Sequence, residues 1–274
     1  MAISPMALNL DGGLDLANER SVDISPAGGS RVSVVIPTLN EERNIGWVLE
    51  HLPPLLHEVI LVDGRSRDRT VEVAVAIRPD IVLVREQTPG KGAALRAGFA
   101  ATTGDVLVML DADCSMDPAE IPSFVAAIEA GADVAKGSRF LAGGGTVDIS
   151  ALRQLGNGAL LRMTNLLYGA GFSELCYGYM AFRRSSLMAL GLRSTGFEIE
   201  TEIVVRALRA GLRIREVPSF EAERRFGVSN LRTFRDGWRV ARTVLSERFT
   251  REATPDITMV AAGSALKTDS LSGS

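Results

Sequence analysis

Apolar and polar positions alternate along this chain in blocks rather than residue by residue. Val32, Val34, Val35 and Ile36 make a β-branched run closed by Pro37, and comparable runs follow at 59–62, 81–84 and 106–110. Each run leads into a polar turn and then a stretch of helical spacing. The spacing predicts helices over 40–51, with Asn40 as N-cap and Pro53 and Pro54 as the stop, over 91–101 and over 118–130. Continuous apolar strands that each feed a helix predict an α/β fold, a mostly parallel central sheet with helices on both faces. The ligand crevice of such a sheet lies beyond the carboxyl ends of its strands, where the polar clusters of this chain fall.

Past Lys136 the pattern loosens. A Gly143-Gly144-Gly145 loop, a helix over 150–168, a short strand at 179–182, a helix over 198–210, an edge strand at 213–217 and a last helix over 230–249 are predicted. There is no internal repeat. Residues 1–30 carry scattered Pro and Gly without a basic start or an apolar stretch, so they read as a loose tail and not as a secretory signal. Residues 250–274 read as a second tail, leaving one domain at 31–249.

Composition narrows the functions. With 46% hydrophobic and 23% charged residues the chain can bury a core, which excludes disorder throughout. Thirty basic against 33 acidic residues, a net charge of −3, speak against nucleic acid as a partner. No apolar stretch approaches the roughly 20 residues that span a bilayer. Cys114 and Cys176 form neither a disulfide framework nor a metal pair, which points to a reducing, cytoplasmic setting.

Three clusters carry candidate chemistry. Asp111 and Asp113 follow the 106–110 strand, and two carboxylates that close repel unless a cation lies between them. Mg2+ or Mn2+ favours one or two carboxylates completed by phosphate oxygens, so the spacing suits a nucleoside diphosphate chelate. The plainer alternative is a turn capping the helix near Pro118. Gly90-Lys91-Gly92 opens the 91–101 helix; its glycines admit close backbone approach, and Lys91 adds a charge at the helix start, where phosphate is favoured. It matches neither a P-loop nor a dinucleotide fingerprint, and alone reads as a loop with a surface lysine. Asp63 ends the second strand, where a carboxylate can accept hydrogen bonds from a base or ribose; otherwise Asp63 to Asp68 is a turn.

Taken in order, these pieces resemble one family. Val34-Val35-Ile36-Pro37-Thr38-Leu39-Asn40-Glu41-Glu42, Val62-Asp63 with Ser66, Asp68 and Thr70, Gly90-Lys91-Gly92-Ala93-Ala94-Leu95, Asp111-Ala112-Asp113 and Gly137-Ser138-Arg139-Phe140 resemble the family 2 glycosyltransferases, most of all the dolichyl- or polyprenyl-phosphate sugar synthases. The resemblance spans about 31–249. It implies a GT-A fold in which Pro37, Thr38, Glu41 and Asp63 hold the nucleoside of a UDP- or GDP-sugar, Lys91 lies near the phosphates, and Asp111 and Asp113 serve the nucleotide and its Mg2+ or Mn2+. Arg139 would stand near donor or acceptor phosphate. The run 176–184 resembles the segment near the acceptor, and Arg224, Arg225, Gly227, Ser229 and Asn230 resemble a late phosphate-binding element, within which Arg224 and Arg225 stand equally. Departures occur at Gly64 and Arg65, at Ser115 where some members carry Gln, at Glu174 where Asp is more usual, and at Asn230 in place of Lys.

Asp113, Arg139 and Glu174 are thus the catalytic candidates of an inverting hexosyl transfer, with Arg139, Arg224, Arg225 and Ser229 facing a lipid-phosphate acceptor. An ionised phosphate needs no strong base, in keeping with a chain whose only histidines, His51 and His57, fall outside every motif and read as surface. A soluble or glycolipid hydroxyl acceptor would need one, and Glu174, Glu198, Glu200 and Glu202 are the candidates; the bland expectation for the last three is a solvated helix face. A non-catalytic nucleotide-sugar binder is the other alternative. The last helix sets Leu231, Phe234, Trp238, Ala241 and Leu245 beside Arg232, Arg235, Arg239 and Arg242, a pattern that either packs on the domain or rests on the inner face of an anionic membrane.

Overall fold

The computed structural model describes residues 29–54, 56–147, 151–227 and 233–250, the side chains of 151, 152 and 233 aside. The expected tails fall almost entirely outside the described residues, as do Ser229, Asn230, Leu231 and Arg232. The first half alternates β1 (Val32–Thr38), α1 (Ile45–Glu50), β2 (Glu58–Asp63), α2 (Thr70–Ile77), β3 (Val82–Arg85), α3 (Lys91–Ala101), β4 (Val106–Met109) and α4 (Ile121–Glu129). The second half runs β5 (Val134–Ser138), β6 (Gly145–Thr146), α5 (Ala151–Tyr168), β7 (Met180–Arg183), α6 (Arg184–Ala189), α7 (Ile199–Arg209), β8 (Ile214–Pro218), β9 (Phe220–Glu221) and α8 (Thr233–Phe249).

Seven strands form one sheet in the order β3-β2-β1-β4-β7-β5-β8. Every pair is parallel except those of β7, which lies antiparallel between β4 and β5. Because side chains alternate across a strand, β1 sends Val34 and Ile36 into one core with Leu61, Val108 and Phe124, and Val35 into another with Ile60, Leu95, Leu107 and Ile203. Helices α1 and α4 cover the first layer, α3 and α7 the second. Each fully buried aliphatic side chain contributes about 1.5–3 kcal/mol relative to exposure, so both faces hold the strand ends rigidly.

Two local expectations need correction. The helix expected over 40–51 is shortened to Ile45–Glu50, and Asn40 is no cap: it takes a left-handed φ of 59°, tolerable for Asn. Its N–H donates to Ser66 Oγ (3.0 Å) and its Oδ1 accepts from Arg67 N (2.8 Å). The turn after β4 does not cap the next helix with Asp111 or Asp113. Asp117 does that, accepting from Ala119 N at 2.9 Å in a 3-10 turn before α4. The two earlier aspartates are thereby released for other work. The sequence also gave no sign of α6 or of the small β6-β9 sheet.

Candidate active site

At the carboxyl ends of β1 and β2 the chain makes two loops that are stitched together by short polar side chains. Glu41 N donates to Thr70 Oγ1 (2.8 Å), Glu42 N to Asp68 Oδ2 (3.1 Å), and Arg69 N back to Glu42 Oε2 (3.0 Å). Asp63 is buried and accepts from Ser66 N at 3.0 Å; Thr38 Oγ1 donates to Val62 O at 3.1 Å. The stitched loops leave a cavity of about 190 Å3, lined among others by Pro37, Thr38, Glu41 and Gly64 and closed by Lys91, Asp111 and Asp113. Asp63 itself turns into the loop and is not among its lining residues. Burial pushes the Glu41 carboxyl above the ordinary range, against the pull of the Asn44 amide and of Arg224.

Lys91 is set by its glycines. Gly90 has a φ of 119°, and a Cβ there would lie 2.1 Å from Thr195 O; at Gly92 it would lie 2.6 Å from Ser194 O. The loop before α7 therefore packs directly on this turn, and Ala93 N donates to Thr195 O (3.2 Å). So seated, Lys91 Nζ reaches Asp111 Oδ1 (2.7 Å) and Glu200 Oε1 (2.8 Å). Burial alone would lower its ammonium, but the two carboxylates outweigh that and hold it above the usual lysine value. Burial raises the Asp111 carboxyl, helped by the charges of Asp113 and Glu200 and opposed by Lys91.

Asp113 follows β4 and is turned by Cys114, whose φ of 65° is uncommon for a non-glycine residue. Its Oδ1 accepts from Ser115 N (3.0 Å) and Oγ (2.7 Å), and its Oδ2 lies 2.5 Å from Arg224 Nη2. Arg224 also reaches Glu41 Oε1 at 3.3 Å. Arg225 does otherwise: it is exposed, stacks 4.7 Å from the Trp47 ring centroid and lines neither cavity beside the aspartates.

A second cavity of about 230 Å3 shares Lys91, Asp111, Asp113, Phe197 and Arg224 with the first and extends between α5 and α8. Arg139 lies on its wall, buried. Its Nε donates to Glu174 Oε1 (2.9 Å) and its Nη1 to Glu221 Oε2 (2.6 Å); Nη2 also meets Glu174 Oε1. Arg139 N donates to Glu174 Oε2 at 2.8 Å, so both oxygens of that carboxylate are engaged. Tyr177 stacks beneath the guanidinium, its ring centroid 4.9 Å away. Lys91, Arg139, Arg153 and Arg224 face Asp111, Asp113, Glu200, Glu221 and Asp236 around this cavity. Four cations against five carboxylates leave it no positive surplus for a diphosphate.

The glutamates of the 198–202 stretch are not solvated. All three are buried: Glu198 pairs with Arg239 (2.8 Å), Glu200 with Lys91 and Glu202 with Arg206 (3.0 Å). The cause is tertiary, since α3 and α8 both pack on α7. His51, stacked on Trp47, and His57, bonded to Thr103 Oγ1 at 3.0 Å, are exposed, as expected. Phe197 and Glu221 were not foreseen: a single aromatic before a helix and a glutamate in a mixed polar run carry no motif.

Asp111 and Asp113 suit a hard divalent cation of the kind that takes few protein ligands and completes its shell with phosphate and water; because Lys91 already meets Asp111 and Ser115 and Arg224 already meet Asp113, such a cation would share those oxygens with these partners or displace one of them. Among the described residues no group of three His, Cys, Asp or Glu side chains could hold a metal by itself. These two carboxylates plus the diphosphate would hold it, which also answers the missing positive charge.

Residues 33–191 match the family described as glycosyl transferase family 2, and the chain belongs to that family. It is 34% identical over 230 residues to a low-salt glycan biosynthesis hexosyltransferase of Haloferax volcanii, covering 81% of this chain and 54% of that protein. It is also 34% identical to the polyprenol monophosphomannose synthase of Mycolicibacterium smegmatis, over 78% of this chain and 85% of that one. The chain thus spans about half of the haloarchaeal relative and most of the mycobacterial one. Among solved structures, glucosyl-3-phosphoglycerate synthase of Mycobacterium tuberculosis, in complex with Mn2+, UDP and glucosyl-3-phosphoglycerate, superposes with a TM-score of 0.66 at 26% identity over 82% of each chain. The fold is the GT-A fold.

Proposed function

We propose that the protein transfers a hexose from a UDP- or GDP-sugar to a polyprenyl phosphate, inverting the anomeric carbon, with Mg2+ or Mn2+ bound at Asp111 and Asp113. The observation that carries this is the pair of cavities meeting at Lys91, Asp111, Asp113 and Arg224. The outer one, walled by Pro37, Thr38 and Glu41, takes the nucleoside; the diphosphate lies over the shared residues; the sugar and acceptor enter the inner one. Relatives with a hexosyltransferase name and a polyprenol-phosphate mannose name support the same direction.

Charge on the departing diphosphate must be neutralised as the anomeric bond breaks. The cation, when bound, supplies Lewis-acid neutralisation of that charge. Lys91 orders Asp111 while adding its own charge, and Arg224 holds Asp113 on the other side. Ser115 fixes the remaining Asp113 oxygen. Arg139 carries the acceptor's anionic end, and for that it must trade its Glu221 contact for phosphate oxygens.

No strong base is required for an ionised acceptor, and the carboxylates named as candidate bases are committed elsewhere: Glu174 to Arg139, Glu198 to Arg239, Glu200 to Lys91 and Glu202 to Arg206. That favours a phosphate over a hydroxyl acceptor. Membrane access suits the outer face of α5 and α8, where Leu155, Leu166, Phe234, Trp238 and Phe249 are exposed beside exposed Arg162, Arg235 and Arg248. No helix among the described residues is long and apolar enough to cross a membrane; in this reading the α5–α8 face rests on the cytoplasmic side of the membrane. The test is labelled UDP- or GDP-hexose with polyprenyl phosphate and Mn2+. Label in the organic phase is expected; none with any common donor refutes the acceptor, and a binder without catalysis would also leave the donor intact.

A further inference from the structure

Lys136 is a fully buried lysine of β5, just ahead of Arg139, and it lines neither cavity. Its ammonium donates to Gly137 O at 3.1 Å and enters no ion pair among the described residues. Placing a cation there is costly unless charges nearby offset the lost hydration. Burial does lower the ammonium, and the carboxylates of Glu174 and Glu216 oppose that, with further help from Cys176 and Glu200.

Both glutamates named first serve the segment that holds Arg139. Glu216 is the register partner of Lys136 on β8. Its carboxylate accepts from Ser173 N (2.9 and 3.1 Å) and from Glu174 N (3.2 Å), and Ser173 Oγ meets Ser138 Oγ at 2.7 Å. Glu174, fixed at its backbone, gives both side-chain oxygens to Arg139. Lys136 and Arg139 thus balance Glu174 and Glu216, while Glu200 is balanced by Lys91. The remaining carboxylate on Arg139 is Glu221, which is 20% exposed where Glu174 is 1% exposed, and so is the partner that can leave.

We propose that Lys136 is a positioning residue for acceptor binding: its buried charge offsets Glu216, so that Arg139 is held by Glu174 on its fixed side and is able to exchange Glu221 for the acceptor's phosphate. This rests on the lipid-phosphate reading above and adds to it a residue that touches neither substrate. Without the lysine, one carboxylate beside the Arg139 segment is left uncompensated, and its field opposes an anion arriving at that guanidinium.

The test uses Lys136→Met and the double variant Lys136→Met/Glu216→Gln in the full chain, assayed with labelled donor and polyprenyl phosphate. Methionine keeps the length and removes the charge; glutamine removes the opposing charge and keeps an oxygen for the Ser173 and Glu174 amides. Lys136→Met is expected to raise the acceptor KM about tenfold, the factor that a unit charge exerts across roughly 10 Å at an effective dielectric constant of about 20. The thermal shift on donor binding and kcat at saturating acceptor stay near wild type. In the double variant the acceptor KM returns to within about threefold of wild type, a non-additivity that a merely space-filling lysine would not give. An unchanged KM in Lys136→Met, or an equal loss in kcat and donor binding, overturns the positioning role while leaving the transfer reading intact. So does a double variant that keeps a raised KM or does not fold. Should Lys136→Met alone not fold, the double variant carries the decision by the same KM. Wild-type protein that labels no polyprenyl phosphate overturns the transfer reading, and the positioning role falls with it.

Discussion

The two cavities that meet at Asp111 and Asp113 are built by different means. The outer one is made from strand ends and the loops directly after them: every wall position except Phe197 and Arg224 lies between Pro37 and Asp113, and its two loops are stitched to each other by Asn40, Glu42 and Asp68, with Asp63 bonded within its own turn. The inner one is made from side chains that come together across long stretches of chain. Arg139 meets Glu174 and Glu221, Asp113 meets Arg224, and Lys91 meets Glu200. A backbone-built pocket suits a nucleotide, whose base and phosphates are bound by fixed groups. A pocket of exchangeable ion pairs suits an acceptor that must displace one partner to bind.

The largest effect is expected where the two halves share a group. Asp113 is held by Ser115 and Arg224, so Asp113→Asn keeps the shape and removes the charge. A loss of about 100-fold or more in kcat is expected, in line with removal of one electrostatic stabiliser of a transition state, with the fold kept by circular dichroism. Full activity of Asp113→Asn contradicts the shared centre. Chelation is expected to abolish transfer in wild type and Mn2+ to restore it; turnover indifferent to chelator contradicts the cation's place at Asp111 and Asp113.

Next comes Lys91, which ties Asp111 to Glu200 and hence the strand end to α7. Lys91→Met leaves the half-buried Asp111 and the buried Glu200 without their cation, and since breaking a fully buried pair costs about 3–5 kcal/mol, the loss here falls below that. Raised donor KM and a lowered Tm are expected together, and Glu200→Gln should recover part of the Tm by removing one of the stranded charges. Donor binding untouched by Lys91→Met separates stability from function and breaks the link between the halves.

A smaller effect concerns pH. Burial raises the Asp111 carboxyl, so on acidification it takes up a proton at a pH above the ordinary aspartate value of 3.8. Activity should fall on the acid side through that raised value, because the protonated group no longer serves a cation. Stability has the opposite sign: a raised folded value favours the fold below the unfolded value and loses that contribution as pH rises through the folded one. On acidification the rate should therefore fall while the Asp111 contribution to Tm rises. A rate that follows Tm down the acid limb would tell against Asp111.

The same contrast explains what could be read in the chain. The alternating apolar runs and the motifs at Pro37, Lys91 and Asp111 were legible because strand ends place neighbours in sequence at one crevice. Glu198, Glu200 and Glu202 were misread as solvated, since nothing local records that α3 and α8 lie against their helix. Likewise Asn40 resembled a cap until a loop 26 residues later claimed its backbone. Glu221 and Phe197 were invisible for that reason, as their partners lie far away in the chain.

Arg224 and Arg225 sharpen the comparison most finely, because adjacent residues of one type fall on opposite sides of it. Arg224 bridges Asp113 and Glu41 across the mouth of both cavities. Arg225 lies over Trp47, outside them. Arg224→Ala should lower kcat/KM by about tenfold or more, since it exposes a paired carboxylate and removes a charge facing the diphosphate. Arg225→Ala forfeits an exposed cation–π contact worth about 0.5–1 kcal/mol, so a Tm lower by a few degrees and a kcat/KM within about threefold of wild type are expected. Steady-state kinetics on the two alanine variants, with thermal unfolding beside them, decide the matter. Equal kinetic losses would mean that the 224–226 segment acts as one latch and that its individual side chains do not distinguish the cavities.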